Sequence, residues 1–186
     1  ADSEELVRAV ARELAAALGP RAAFVTGGSA GVQQTFAASC GSGARLWNVL
    51  PAGQSSGYGV GTDVHAGENM AQRREVLGLL GDVYLTVEGG PGVAEEAQVA
   101  CARGAAVVPL VRTGGASSGM FGFPPEALER PPYASEEHWA LLKRKDAPIA
   151  ESAAAVAAIV EGFMAERDSA TQGPVGAPQA RAAATT

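Results

Sequence analysis

Apolar positions recur along this chain with two characters. Leu6, Val7, Val10, Leu14 and Leu18 share one face of a 3.6-residue repeat. They predict a helix over 3–18, capped by Ser3, with Glu4 and Glu5 in its first turn. Gly19-Pro20 ends it. Short, mostly apolar runs at 22–26, 45–50, 82–87 and 105–111 predict strands, and those at 22–26 and 82–87 read as buried. Helical spacing predicts helices over 32–39, 69–80, 93–103, 135–145 and 152–167, and Ile149 reads as a short last strand. Residues 51–67 show no period and read as a long loop, a feature often kept for function. A Pro-rich segment spans 121–133. Residues 169–186 carry too little apolar surface to offset the entropy of ordering and read as a disordered tail. That leaves 1–168 as a single domain.

Short strands alternating with helices imply an α/β fold, a parallel sheet with helices on both faces in three layers. Ligands in such sheets bind at the carboxyl ends of the strands. Three predicted strands end in glycine-rich turns, at Gly27-Gly28-Ser29, at Gly89-Gly90-Pro91-Gly92 and at Thr113-Gly114. They therefore converge on one edge. A glycine turn leading into a helix exposes unpaired N–H groups at a positive helix end, and its usual ligand is an anion such as phosphate. The dinucleotide fingerprint Gly-x-Gly-x-x-Gly and the lysine of a Walker loop are both absent.

Composition narrows the function classes. Apolar residues make up 47% of 186, and much of that is alanine, so the core is built from small side chains. Net charge is −6, with 20 acidic against 14 basic residues, which argues against a nucleic-acid surface but not against one basic pocket. No apolar run is long enough to span a membrane and no signal peptide is visible. The two cysteines, Cys40 and Cys101, lack metal-ligand spacing and read as small core residues. A cytoplasmic protein with no required cofactor is the expectation. The chain opens at Ala1 without a methionine, which leaves room for residues upstream.

Single residues carry two readings each. Arg73 and Arg74 form either a solvated helix face or a phosphate clamp. Glu95 and Glu96 either complement the helix dipole or face the site, and neighbours about 100° apart on a helix cannot both do the latter. His65 and His138 read as structural or solvated. Trp47 reads as core, and Trp139 as packing on the Pro-rich segment or on a partner.

Met70-x-x-Arg73-Arg74, followed by Glu88-Gly89-Gly90-Pro91-Gly92-Val93-x-x-Glu96, resembles the paired signatures of the LOG-like proteins, long mislabelled lysine decarboxylases. The resemblance covers roughly 3–112. Arg74 stands where that family has lysine, Glu88 where it has proline and Val93 where it has threonine. The family's first strand and Gly-Ser loop have no counterpart after Ala1, and 112–133 does not match its hydrolase branch. The resemblance implies a Rossmann-like fold, a homodimer or homotetramer, and a small phosphorylated ligand. One branch hydrolyses cytokinin riboside 5′-monophosphates, another comprises molybdenum cofactor carriers, and others are nucleotide-sensing modules. By that likeness Gly89, Gly90, Gly92 and Val93 cradle a phosphate, Arg73 and Glu96 take the catalytic positions, and a nucleotide or molybdopterin-type ligand is expected. Gly27, Gly28, Ser29, Arg74, Thr113 and Gly114 complete the candidate binding set. Two functional readings stay open. One is a carrier or sensor that binds without cleaving. The other is a nucleoside 5′-monophosphate phosphoribohydrolase, which splits the N-glycosidic bond. A purely structural module is a third, in which the glycine turns coincide by chance.

Overall fold

A computed structural model describes residues 2–171. In chain order the elements are α1 (Asp2–Leu18), β1 (Phe24–Thr26), α2 (Val32–Ser39), β2 (Leu46–Leu50), β3 (Thr62–His65), α3 (Met70–Leu80), β4 (Val83–Val87), α4 (Pro91–Ala102), β5 (Ala106–Leu110), α5 (Glu136–Leu141) and α6 (Ile149–Thr171). Every strand pairing is parallel, in a three-stranded ladder β1-β2-β3 and a two-stranded ladder β4-β5. The α/β architecture with parallel sheets alternating with helices is the one expected.

Alternation along the strands sorts the helices to two sides. Val108 and Leu110 of β5, with Val83, Leu85 and Val87 of β4, pack into a core shared with Leu6, Val10 and Leu14 of α1 and Val156 and Ile159 of α6. Val107 of β5 and Tyr84 of β4 belong to a second cluster, with Ala94, Ala97 and Ala100 of α4 and Phe123. Successive strand residues point to opposite faces, so β4 and β5 have helices on both sides. The first cluster also takes in Phe24 of β1 and Leu46 of β2, so it runs across both ladders. The alanines facing the sheet from α4 and α6 let backbones approach closely, which explains an alanine-rich core.

Several boundaries differ from expectation, each for a physical reason. The segment 51–67 is not all loop, because Thr62–His65 form β3, hydrogen-bonded along β2. This strand is polar and at most half-buried, so it carries no apolar run to announce it. Ile149 is helical, the first residue of α6, and Ser152 N–H donates to the Pro148 carbonyl at 3.1 Å. That helix runs on through Thr171, where Ser169 and Thr171 hydroxyls bond back to Ala165 and Arg167 carbonyls. The expected tail from 169 therefore begins as helix, and its remainder, 172–186, lies outside the described residues. Ser3 lies inside the first turn of α1, which starts at Asp2. Asn69 caps α3, accepting from Ala71 and Gln72 N–H at 3.0 Å each. Ser135 caps the shortened α5 through His138 N–H at 3.1 Å. Trp139 is buried in the first core, whereas Trp47 is half-buried with the Arg45 guanidinium 5.7 Å from its ring centre. No helix among the described residues is long and apolar enough to cross a membrane.

Candidate functional site

The turn after β4 is held open from outside. Glu88 (φ +50°) and Gly89 (φ +92°) both take left-handed backbone, which reverses the chain after Val87. Gly90 then caps α4 and Pro91 takes its first position, where a missing N–H costs nothing. Glu88 N–H donates to Thr113 Oγ1 at 2.8 Å, and the Glu88 carbonyl accepts from Ser117 N–H and Oγ at 3.0 and 2.9 Å. Ala116 N–H donates to the Gly89 carbonyl at 2.8 Å. A Cβ at Gly115 would stand 2.5 Å from that same carbonyl. The turn at 113–119 is thus a brace for the turn at 88–92, and the Thr113 hydroxyl, which also donates to Leu110 O, is engaged within it.

Helices α3 and α4 bring the two charged pairs together. Arg73 is 3% exposed and its Nη1 lies 2.9 Å from Glu96 Oε1, itself on a side chain 15% exposed. Arg73 Nε is buried without a hydrogen-bond partner. Gly27 packs so tightly on this guanidinium that a Cβ there would overlap Nη1. Arg74 points the other way, to Glu95 at 3.3 Å on the exposed side. A Cβ at Gly92 would lie 2.9 Å from Arg74 Nε, so this second guanidinium sits at the N-terminal turn of α4. The divergence of Glu95 and Glu96 is the one that helix geometry required. Burial pushes the Glu96 carboxyl above its ordinary pKa, although Arg73 and Arg74 pull it down.

The first glycine turn is built into a polar row. In the parallel register Thr26 lies beside Asn48, and Asn48 beside Asp63. Thr26 Oγ1 donates to Asn48 Oδ1 at 2.8 Å, and Asn48 Nδ2 donates to Asp63 Oδ1 at 3.0 Å and to the Val60 carbonyl at 3.1 Å. Asn48 is fully buried, 0% exposed. Asp63 accepts in addition from Ser56 Oγ at 2.6 Å, Ser56 N–H at 2.9 Å and Ser55 Oγ at 3.0 Å. These donors, the Ser56 hydroxyl first, hold its pKa at about 2. Gly28 N–H donates to Thr26 Oγ1 at 3.3 Å, Ser29 N–H to Gln33 Oε1 at 3.0 Å, and the Tyr58 hydroxyl donates to the Ser29 carbonyl. Burial raises the Tyr58 phenol to about 12; Asp63 adds to that rise, while Thr26 and Arg73 oppose it.

The candidate residues thus fall into two groups, at the first glycine turn and at the turn after β4, joined through Arg73. Gly27 touches Arg73, Arg73 holds Glu96, Arg74 lies on Gly92, and the 113–119 turn braces Gly89. Asn48, Tyr58 and Asp63 belong to the same neighbourhood, and sequence reasoning passed over them. Only Asn48 left a signal, as the lone amide in the five-residue run Leu-Trp-Asn-Val-Leu. His65 lies apart on the exposed side, its Nε2 2.8 Å from the Gln54 carbonyl. Two surface cavities lie elsewhere: one of about 210 Å³ beside Cys101 and Tyr133, one of about 310 Å³ beside Phe24 and Cys40. Among the described residues no group of three or more His, Cys, Asp or Glu could hold a metal ion. Comparison with protein-family models, with curated proteins and with solved structures returns no match to this chain.

Proposed function

We propose that the 88–96 turn binds a phosphorylated small ligand, a nucleotide or a molybdopterin-like compound, and that the protein acts as a carrier or sensor. The observation that carries this is the Arg74 guanidinium lying on Gly92 at the N-terminal turn of α4. The Gly92 N–H, a positive helix end and a guanidinium then lie together. The acid now beside Arg74 is exposed Glu95, and an ion pair of that kind is worth about 0–1 kcal/mol, so a phosphate displaces it readily. Gly90 is free of steric neighbours, which leaves room for close approach. This is the use that the resemblance to LOG-like proteins suggests for the motif. Val93 brings no hydroxyl and its N–H donates to the Gly90 carbonyl at 3.1 Å, so the first-turn backbone donor offered to the ligand is the Gly92 N–H.

The Arg73–Glu96 pair favours a second reading, hydrolysis of the N-glycosidic bond of a nucleoside 5′-monophosphate. Water would add to C1′, the C1′–N bond would break, and the base would leave carrying a proton, giving ribose 5-phosphate. Positive charge builds on the sugar in such a reaction. Glu96, fixed by Arg73, is the group to stabilise that charge or take the proton of water. The remote phosphate would hold the reacting centre in place.

Both readings are tested by incubating the protein with a panel of nucleoside 5′-monophosphates, following base release by chromatography and binding by calorimetry. Saturable binding without release, weakened about 10–100-fold in Arg74→Ala by loss of one charge-assisted hydrogen bond, supports the carrier or sensor. Release that disappears in Glu96→Gln establishes the hydrolase instead. Neither binding nor release, with molybdopterin also failing to bind, removes the phosphorylated ligand altogether.

A further inference from the structure

The proposed function makes no use of the segment 51–61. Glycines at 53, 57, 59 and 61 all take positive φ there, as Gly28 and Gly31 do in the first turn. Glycine-rich backbone loses the most entropy on ordering and stays ordered only where something ties it down. Here the tie is Asp63. Its two oxygens collect the Ser55 and Ser56 hydroxyls, the Ser56 N–H and the Asn48 amide. Two hydrogen-bonded routes lead from Asp63 to the first glycine turn. One passes inside the sheet, through Asn48 and Thr26 to Gly28 N–H. The other passes over the surface, through the segment itself to Tyr58, whose hydroxyl donates to the Ser29 carbonyl. The turn is gripped at Gly28 and at Ser29, and Gly27 beside them is the wall against which the Arg73 guanidinium packs.

We infer that Tyr58 is a positioning residue of the candidate site: anchored through Asp63, it latches the segment 51–61 onto the Gly27–Ser29 turn and so fixes the seat of Arg73 beside Glu96. The inference rests on protein geometry alone and not on the ligand. Two glycine-rich segments joined this way are ordered together, so cutting the latch loosens both. Water then reaches Arg73, and the Glu96 carboxyl feels it. The charged groups around Glu96 are Arg73 and Arg74 from α3 and Glu95 from its own helix. None of these is altered by changing Tyr58, so any change in Glu96 reports the seat itself.

The test is amide hydrogen exchange on the full chain without ligand, comparing the native protein with Tyr58→Phe and Asp63→Asn, together with a carbon-13 NMR titration of Glu96. Loss of one net hydrogen bond predicts exchange about fivefold faster in Tyr58→Phe, both at 55–61 and at 28–31, with α6 unchanged. Asp63→Asn should speed the same two segments further. In Tyr58→Phe the Glu96 titration should move from its native position, because the burial that raises it and the Arg73 guanidinium that lowers it both depend on the seat. Faster exchange at 55–61 alone, with 28–31 and the Glu96 titration unmoved, overturns the inference. So does an increase shared equally by α6, which would mark a general loss of stability. Because no ligand enters the measurement, its failure and a failure of the proposed function are told apart.

Discussion

Replacing Glu96 by glutamine sets two opposed effects against each other. Arg73 is 3% exposed and the group facing its Nη1 is Glu96 at 2.9 Å. Were the pair a net stabiliser, removing one charge would strand a buried guanidinium and cost about 3–5 kcal/mol. The second effect has the opposite sign. The Glu96 carboxylate is itself 15% exposed and accepts one side-chain hydrogen bond, from Arg73. Burial raises its pKa above the ordinary 4.5 in spite of Arg73 and Arg74, so desolvation outweighs attraction. A carboxyl whose folded pKa lies above its unfolded one contributes stability that is complete below the unfolded value, here 4.5. That contribution is lost as pH rises through the folded pKa. At pH 7 the ionised form is therefore the costlier one. Glutamine resembles the neutral acid in size and can still accept from Arg73. The expected result is a Glu96→Gln protein no less stable than the native one at neutral pH, to within about 1 kcal/mol. Urea unfolding from about pH 4.5 upward should show the native protein losing stability relative to the variant as pH rises. A loss of about 3 kcal/mol or more at pH 7 would refute the reasoning, because it would mean that Arg73 attraction exceeds desolvation.

Four further outcomes are expected. Asn48→Leu keeps the volume but takes the acceptor from the buried Thr26 hydroxyl and the donor from Val60 O and Asp63, so chemical denaturation should report a loss of about 2–3 kcal/mol. Gly89→Ala places a Cβ 2.5 Å from the Val93 side chain at φ +92°, and its melting temperature should reflect about 1–3 kcal/mol of lost stability. Gly90→Ala, with no neighbour within 4 Å, should cost no more than about 1 kcal/mol, the ordinary penalty of alanine at a helix N-cap. Arg112→Met removes donors 2.9, 2.8 and 2.7 Å from Ala147 O, Lys145 O and Ser152 Oγ, which between them hold the entry to α6. Urea unfolding should show a loss of about 3 kcal/mol.

Much of this protein follows from its sequence alone. The stripe from Leu6 to Leu18, the apolar runs at 45–50 and 105–111, and the glycines after the strands report which positions are buried and where the chain must turn; the run at 82–87 marks a strand but not its burial, since among Val83–Val87 only Thr86 is buried. Those are local properties, and local periodicity records them. The parallel α/β class and the glycine turns that follow the strands come in the same way. The pairing of partners is not local. β3 is polar and half-exposed, so no period marks it, and without β3 there is no register to place Asp63 beside Asn48. Which of Glu95 and Glu96 meets a buried arginine depended on how α3 lies against α4. Tyr58 reaches Ser29 across 29 residues of chain, a contact that exists only because both segments end at the same sheet edge. Side-chain chemistry chose the elements; the register and packing that join distant segments chose which polar groups meet.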